Sequence, residues 1–73
     1  MITIKEFVNG MVDDGASSYE IAELLGVSVS MVSGYKLHQY NPSLEVAKNV
    51  YKKTNVVLHP FAEQSLKLEL GIE

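Results

Sequence analysis

The sequence predicts an all-α fold, and three observations carry that prediction. Hydroxyl residues stand where helices should start, apolar residues follow them at helical spacing, and Gly, Asn and Pro fall where the helices should stop. The longest run of strict apolar/polar alternation, the strand signal, is confined to the end of the chain, Leu66 to Glu73.

Thr3 is followed three residues later by Glu6, a capping box, with Ile2 and Phe7 placed to staple across it. Ile4, Phe7, Val8 and Met11 then recur at i, i+3, i+4 and i+7, so a first helix should run to about Val12. Asp13-Asp14-Gly15 breaks it, and the two aspartates lack a third ligand nearby that would make them a metal site.

The centre of the chain, Ser17 to Leu37, reads as two short helices joined by a tight turn. Ser17 and Glu20 form a second capping box, and Ile21, Leu24 and Leu25 supply the apolar stripe. Gly26 suits the left-handed conformation that ends a helix, and Ser28 can cap the next one two residues later. Small Ala22 permits close approach of the second helix, with Val27 and Val32 filling the angle between the two. Tyr35 and Tyr51 read as core aromatics.

These residues resemble the helix-turn-helix of phage (Cro-like) repressors and XRE-like regulators. The resemblance is carried by Ala22, Gly26 and Val32 in register, by Gly26-Val27-Ser28, Ser30, Val32-Ser33 and Tyr35, and by the downstream Asn41-Pro42-Ser43-Leu44-Glu45-Val46-Ala47. It spans roughly Thr3 to Leu68. It implies a compact five-helix repressor-like DNA-binding domain over residues 1–73, with helices two and three as the motif. The expected activity is that of a sequence-specific double-stranded-DNA-binding transcriptional regulator, a phage or prokaryotic repressor that holds a palindromic operator as a homodimer.

By that resemblance the third helix lies in the major groove, and Val29, Ser30, Ser33, Gly34 and Leu37 are its base-reading positions. The chain departs from the family's stronger readers here, because no Arg, Gln or Asn stands on that face to make a bidentate contact. Shape and dimer spacing should therefore contribute to specificity. Phosphate contacts are expected from Ser17, Ser18 and Tyr19 at the start of helix two, and from Lys36, His38, Tyr40 and Asn41 beyond helix three.

Ser43 should cap a fourth helix over about 43–53, with Leu44, Ala47 and Val50 on its buried side and Lys48, Lys52 and Lys53 on its polar one. Thr54-Asn55 ends it, Val56-Val57-Leu58 connects, and Pro60 is placed as the first residue of a fifth helix over about 60–68. The tail from Leu66 to Glu73 alternates like a strand but is built largely of helix formers, so helix is expected to about Leu68 and an extended end beyond it. Phe61, Leu66, Leu68, Leu70 and Ile72 then either form a homodimer contact or pack back on helix one.

Composition bounds the function. At 73 residues, 47% hydrophobic and 21% charged, the chain suits one small folded domain rather than a disordered segment. Its net charge of −3 is unevenly spread: Ser33 to His59 carries +3 and the remainder −6. A basic segment beside an acidic remainder suits a protein that meets DNA with one face. The acidic remainder also leaves a second expectation open, a helical adaptor or inhibitor that keeps the fold but binds a protein partner. There is no cysteine, no apolar run of about 20 residues, and no basic-then-apolar leader, so a cytoplasmic protein of a bacterial host cell is expected. Serines stand near no His/Asp pair at a motif spacing, and no glycine-rich phosphate loop occurs, so no catalysis is expected. Nor is a metal, cofactor, small-molecule ligand or membrane partner.

Overall fold

In the computed structural model, which describes residues 2–71, five helices stand in the order the sequence predicts. The first, α1 (Ile4–Asp13), opens on Thr3, whose hydroxyl accepts from the Glu6 N–H at 3.1 Å while Glu6 Oε1 accepts from the Thr3 N–H at 3.1 Å. Those Thr3 bonds, the backbone one foremost, hold the Glu6 carboxyl below its ordinary value. The same reciprocal pattern starts α2 (Ser18–Leu25) at Ser17 and Glu20. Ser28 caps α3 (Val29–Leu37), accepting from the Met31 N–H, and Ser43 caps α4 (Leu44–Thr54), accepting from the Val46 N–H. Asn55, in the left-handed region at φ 61°, closes α4.

The fifth helix differs from expectation at both ends. It runs as α5 (Glu63–Leu70), starting after Pro60 rather than on it. The Phe61 N–H is committed to the Leu58 carbonyl at 2.9 Å, which closes a turn over His59 and Pro60 and defers the helix to Glu63. Helix then continues through Leu70 to a left-handed Gly71, so through that point helix propensity prevails over the alternating pattern, and no extended tail begins at Leu68. Ile72 lies outside the described residues.

Four helices build the main core. Ile4, Phe7 and Val8 of α1, Ile21, Ala22 and Leu25 of α2, Val32 and Tyr35 of α3, and Val46 and Val50 of α4 form one buried cluster with Leu58. The chain's beginning is fixed to the connector before α5: Ile2 pairs with Leu58 in an isolated parallel bridge, and the His59 N–H donates to the Ile2 carbonyl at 2.7 Å. A second cluster joins Ala47 and Tyr51 of α4 to Leu66 of α5, with Val57, Phe61 and Leu70 packed around it. Helix α4 therefore presents two adjacent buried stripes, one to the main core and one to α5. Leu44, expected on the buried side, is exposed instead, because the stripe is set by Val46, Val50 and the Ala47/Tyr51 pair. Likewise α5 lies on α4 and not on α1.

Candidate nucleic-acid interface

Gly26, Val27 and Ser28 alone separate α2 from α3. Both the Gly26 and Val27 N–H groups donate to the Ala22 carbonyl, at 2.9 and 3.0 Å, and Gly26 takes φ 75°, which turns the chain sharply without a Cβ clash. Val27 packs on the core, and Ala22 is buried beneath it. Helix α3 rests on α1 and α2, and no other helix packs against it.

The open side of α3 carries Ser30, Ser33 and Leu37, one stripe at i, i+3 and i+7, with Leu37 69% exposed. Of the five expected base-reading positions these three are exposed, and the other two are not. Val29 is half-buried against the main core, one turn before buried Val32, and is drawn inward by the same stripe. Gly34 faces the ring of Tyr40: a Cβ there would lie 3.3 Å from Tyr40 Cε2, so the neighbour that glycine admits belongs to this chain.

Tyr40 in turn meets the ring of buried Tyr35 edge-on, with centroids 6.0 Å apart and planes at 78°, and the ring of His38 at 5.7 Å. Burial raises the Tyr35 phenol above its ordinary value. Between α3 and the loop that follows it lies an open groove of about 350 Å³, lined by Ser30, Met31, Gly34, Tyr35, Tyr40 and Asn41. His38, Tyr40 and Asn41 are exposed at this end and Lys36 is half-buried, so the four phosphate candidates of the α3 end stand near one another along the chain's surface.

The α2 end is different. The Ser17 hydroxyl and N–H are both engaged by Glu20, which places a carboxylate where a phosphate was expected. Ser18 is half-buried, and Tyr19, 76% exposed, is the freest of the three side chains. A phosphate would have to displace or evade Glu20 here.

Electrostatics favour the α3 side. No acidic residue occurs from Leu24 to Leu44, which includes the whole of α3, whereas each of the other four helices contains at least one. Not all the lysines of the basic segment are equally available. Lys48 lies 3.8 Å from Glu45, and the Lys53 ammonium sits 3.5 Å from the Glu23 and Leu24 carbonyls at the end of α2. Lys36 and Lys52 have no ion-pair partner among the described residues.

Of the expected dimer residues, Leu66 is fully buried inside its own chain and cannot meet a second copy. Phe61 and Leu70 pack beside it against α4, while Leu68 is 72% exposed. Sequence reasoning missed two residues that position the site: Asn9 of α1, whose Nδ2 donates to the Lys36 carbonyl at 3.3 Å, and Asn49 of α4, whose Nδ2 donates to the Leu25 carbonyl. Among the described residues no group of three or more His, Cys, Asp or Glu is gathered as for a metal, and no helix is long and apolar enough to cross a membrane. The chain matches no protein-family model, no curated protein and no solved structure.

Proposed function

We propose that this chain is a transcriptional regulator that binds double-stranded DNA sequence-specifically, as a homodimer on a palindromic operator, with α3 in the major groove. One observation supports the reading above others: α3 is joined to α2 by a three-residue turn, is free of acids along its length, and turns Ser30, Ser33 and Leu37 outward. An acid-free helix can approach the phosphate-lined groove without like-charge repulsion. Lys36 and the His38–Asn41 loop supply contacts to the flanking backbone, and Leu68 offers apolar surface to a second copy.

The test is duplex-DNA binding titrated with salt. Affinity should fall steeply as salt rises, and Lys36→Ala and Ser30→Ala should weaken it, the former also reducing the salt slope by about one. No binding even at low salt would overturn the reading. Sedimentation at high concentration should show a dimer, and a strict monomer would remove the palindromic part.

A second reading, a helical adaptor for a protein partner, is favoured by one observation. Met31 and Leu37 are 45% and 69% exposed on the same helix, more apolar surface than phosphate contact requires. The same titration separates the two, since an adaptor would leave DNA free.

A further inference from the structure

The groove beside α3 has a composition that matches one base better than the other three. Most of its lining is apolar or aromatic: Met31, Gly34, Tyr35 and Tyr40. Its remaining lining residues, Ser30 and Asn41, each bring both a hydrogen-bond donor and an acceptor, so the apolar lining and not the polar pair is what distinguishes the bases. The volume, about 350 Å³, is roughly that of a dozen waters, enough for the major-groove edge of a pyrimidine. The Tyr40 wall is backed by packing within the chain. Tyr40 lies against Gly34, where a Cβ would stand 3.3 Å from its ring, and is held edge-on by buried Tyr35.

In the major groove thymine alone presents a methyl group next to an acceptor, O4. Cytosine presents an N4 donor, which the Ser30 hydroxyl or the Asn41 carbonyl can accept, but it has no methyl group to fill the apolar lining. Purines offer N7 and no methyl. Val29, the one β-branched apolar residue among the expected base-reading positions, is half-buried against the core and so is poorly placed to meet a methyl group.

We infer that the groove lined by Met31, Gly34, Tyr35 and Tyr40 is a thymine reader: the 5-methyl group packs between Met31 and the Tyr40 ring, and O4 accepts from Ser30 or Asn41. The inference rests on the DNA-binding reading above and adds a base and a mechanism to it. It also gives Tyr40 and Asn41 a role in choosing sequence rather than in holding the backbone alone.

The experiment begins by selecting preferred sites from a randomised duplex library with the full chain. Each thymine of the selected site is then replaced by deoxyuridine, which deletes the methyl and keeps O4. One thymine per half-site should be sensitive, with a loss of about four-fold, the worth of one buried methyl-sized group. Met31→Ala, at an exposed position that makes none of the expected backbone contacts, should reduce that thymine-to-uracil ratio to about one while leaving binding to the uracil duplex unchanged, and Tyr40→Ala should reduce the same ratio to about one whatever it does to overall affinity. If every thymine can be replaced without effect, the inference fails and DNA binding stands. If Tyr40→Ala weakens both duplexes equally, Tyr40 is a backbone contact and the inference fails again. If the library yields no bound duplex, the DNA-binding reading falls and the thymine reader with it.

Discussion

Asn49 Nδ2 donates to the Leu25 carbonyl oxygen at 3.0 Å, so a side chain of α4 closes the last turn of α2 where the chain reverses into α3. The last carbonyls of a helix have no partner within it, and here the neighbouring helix supplies one. A Cβ on Gly26 would stand 2.8 Å from the same Nδ2, so the reversal and the hydrogen bond compete for one space.

Two substitutions at this point should therefore be coupled. Gly26→Ala is expected to cost about 1–2 kcal/mol for the left-handed backbone alone, and more because it displaces Asn49. Asn49→Ala should cost about 1–3 kcal/mol by stranding the Leu25 carbonyl. In urea denaturation the double variant should lose less than the sum of the two, because the alanine at 49 removes the clash. Strict additivity would show that the two sites do not share space.

The second asparagine acts on α3 itself. Asn9 Nδ2 donates to the Lys5 carbonyl at 2.9 Å and to the Lys36 carbonyl at 3.3 Å, tying α1 to the end of the outward-facing helix. Asn9→Ala should destabilise the fold by about 1 kcal/mol. The same variant should speed amide exchange in the last turn of α3, read at the His38 N–H that donates to the Gly34 carbonyl. Unchanged exchange there would mean that the bond does not restrain α3.

Leu66 and Leu68 would be equivalent on a strand and are opposite on a helix. Leu66 is fully buried against Ala47 and Tyr51, whereas Leu68 is 72% exposed. Leu66→Ala should cost about 2–5 kcal/mol in thermal or urea unfolding. Leu68→Ala should stay within about 0.5 kcal/mol in the monomer. Equal losses would contradict the helical register of α5.

Tyr35 makes stability depend on alkaline pH. Burial raises its phenol above the ordinary value of 10.0, so the folded chain keeps a proton that the unfolded chain gives up. Stability from this source is complete below the unfolded value and is lost as pH rises from there through the folded one. Tyr35→Phe should flatten the decline in unfolding free energy above about pH 10. An identical decline in both proteins would exclude Tyr35 as its source.

The starts of α1 to α4 were legible because each depends on local chemistry: a hydroxyl, and for α1 and α2 a Glu three residues on, identify the first turn with no knowledge of the rest of the chain. The apolar stripes of α1 and α2 were legible for the same reason. What escaped depends on partners distant in sequence. Nothing near Val29 says that it faces α3's inner side, and nothing near Gly34 says that Tyr40 covers it. Asn9 and Asn49 did leave a trace, since asparagine is a poor mid-helix residue and its presence there points to a bond outside the helix. The alternation after Leu66 misled because period-two spacing also places Leu66 and Leu70 at i, i+4, on one helical face.

Alone among the five helices, α5 starts on a residue, Ala62, that makes no side-chain cap, and no residue of α5 belongs to the main buried cluster. Its order is borrowed almost wholly from Ala47 and Tyr51 of α4. The expected consequence is that α5 opens as the weaker of two units while the main cluster stays closed. Native-state hydrogen exchange should show α5 amides escaping through a partial opening, with free energies below those of Val8, Leu25 and Val50, whose release requires the whole molecule to unfold.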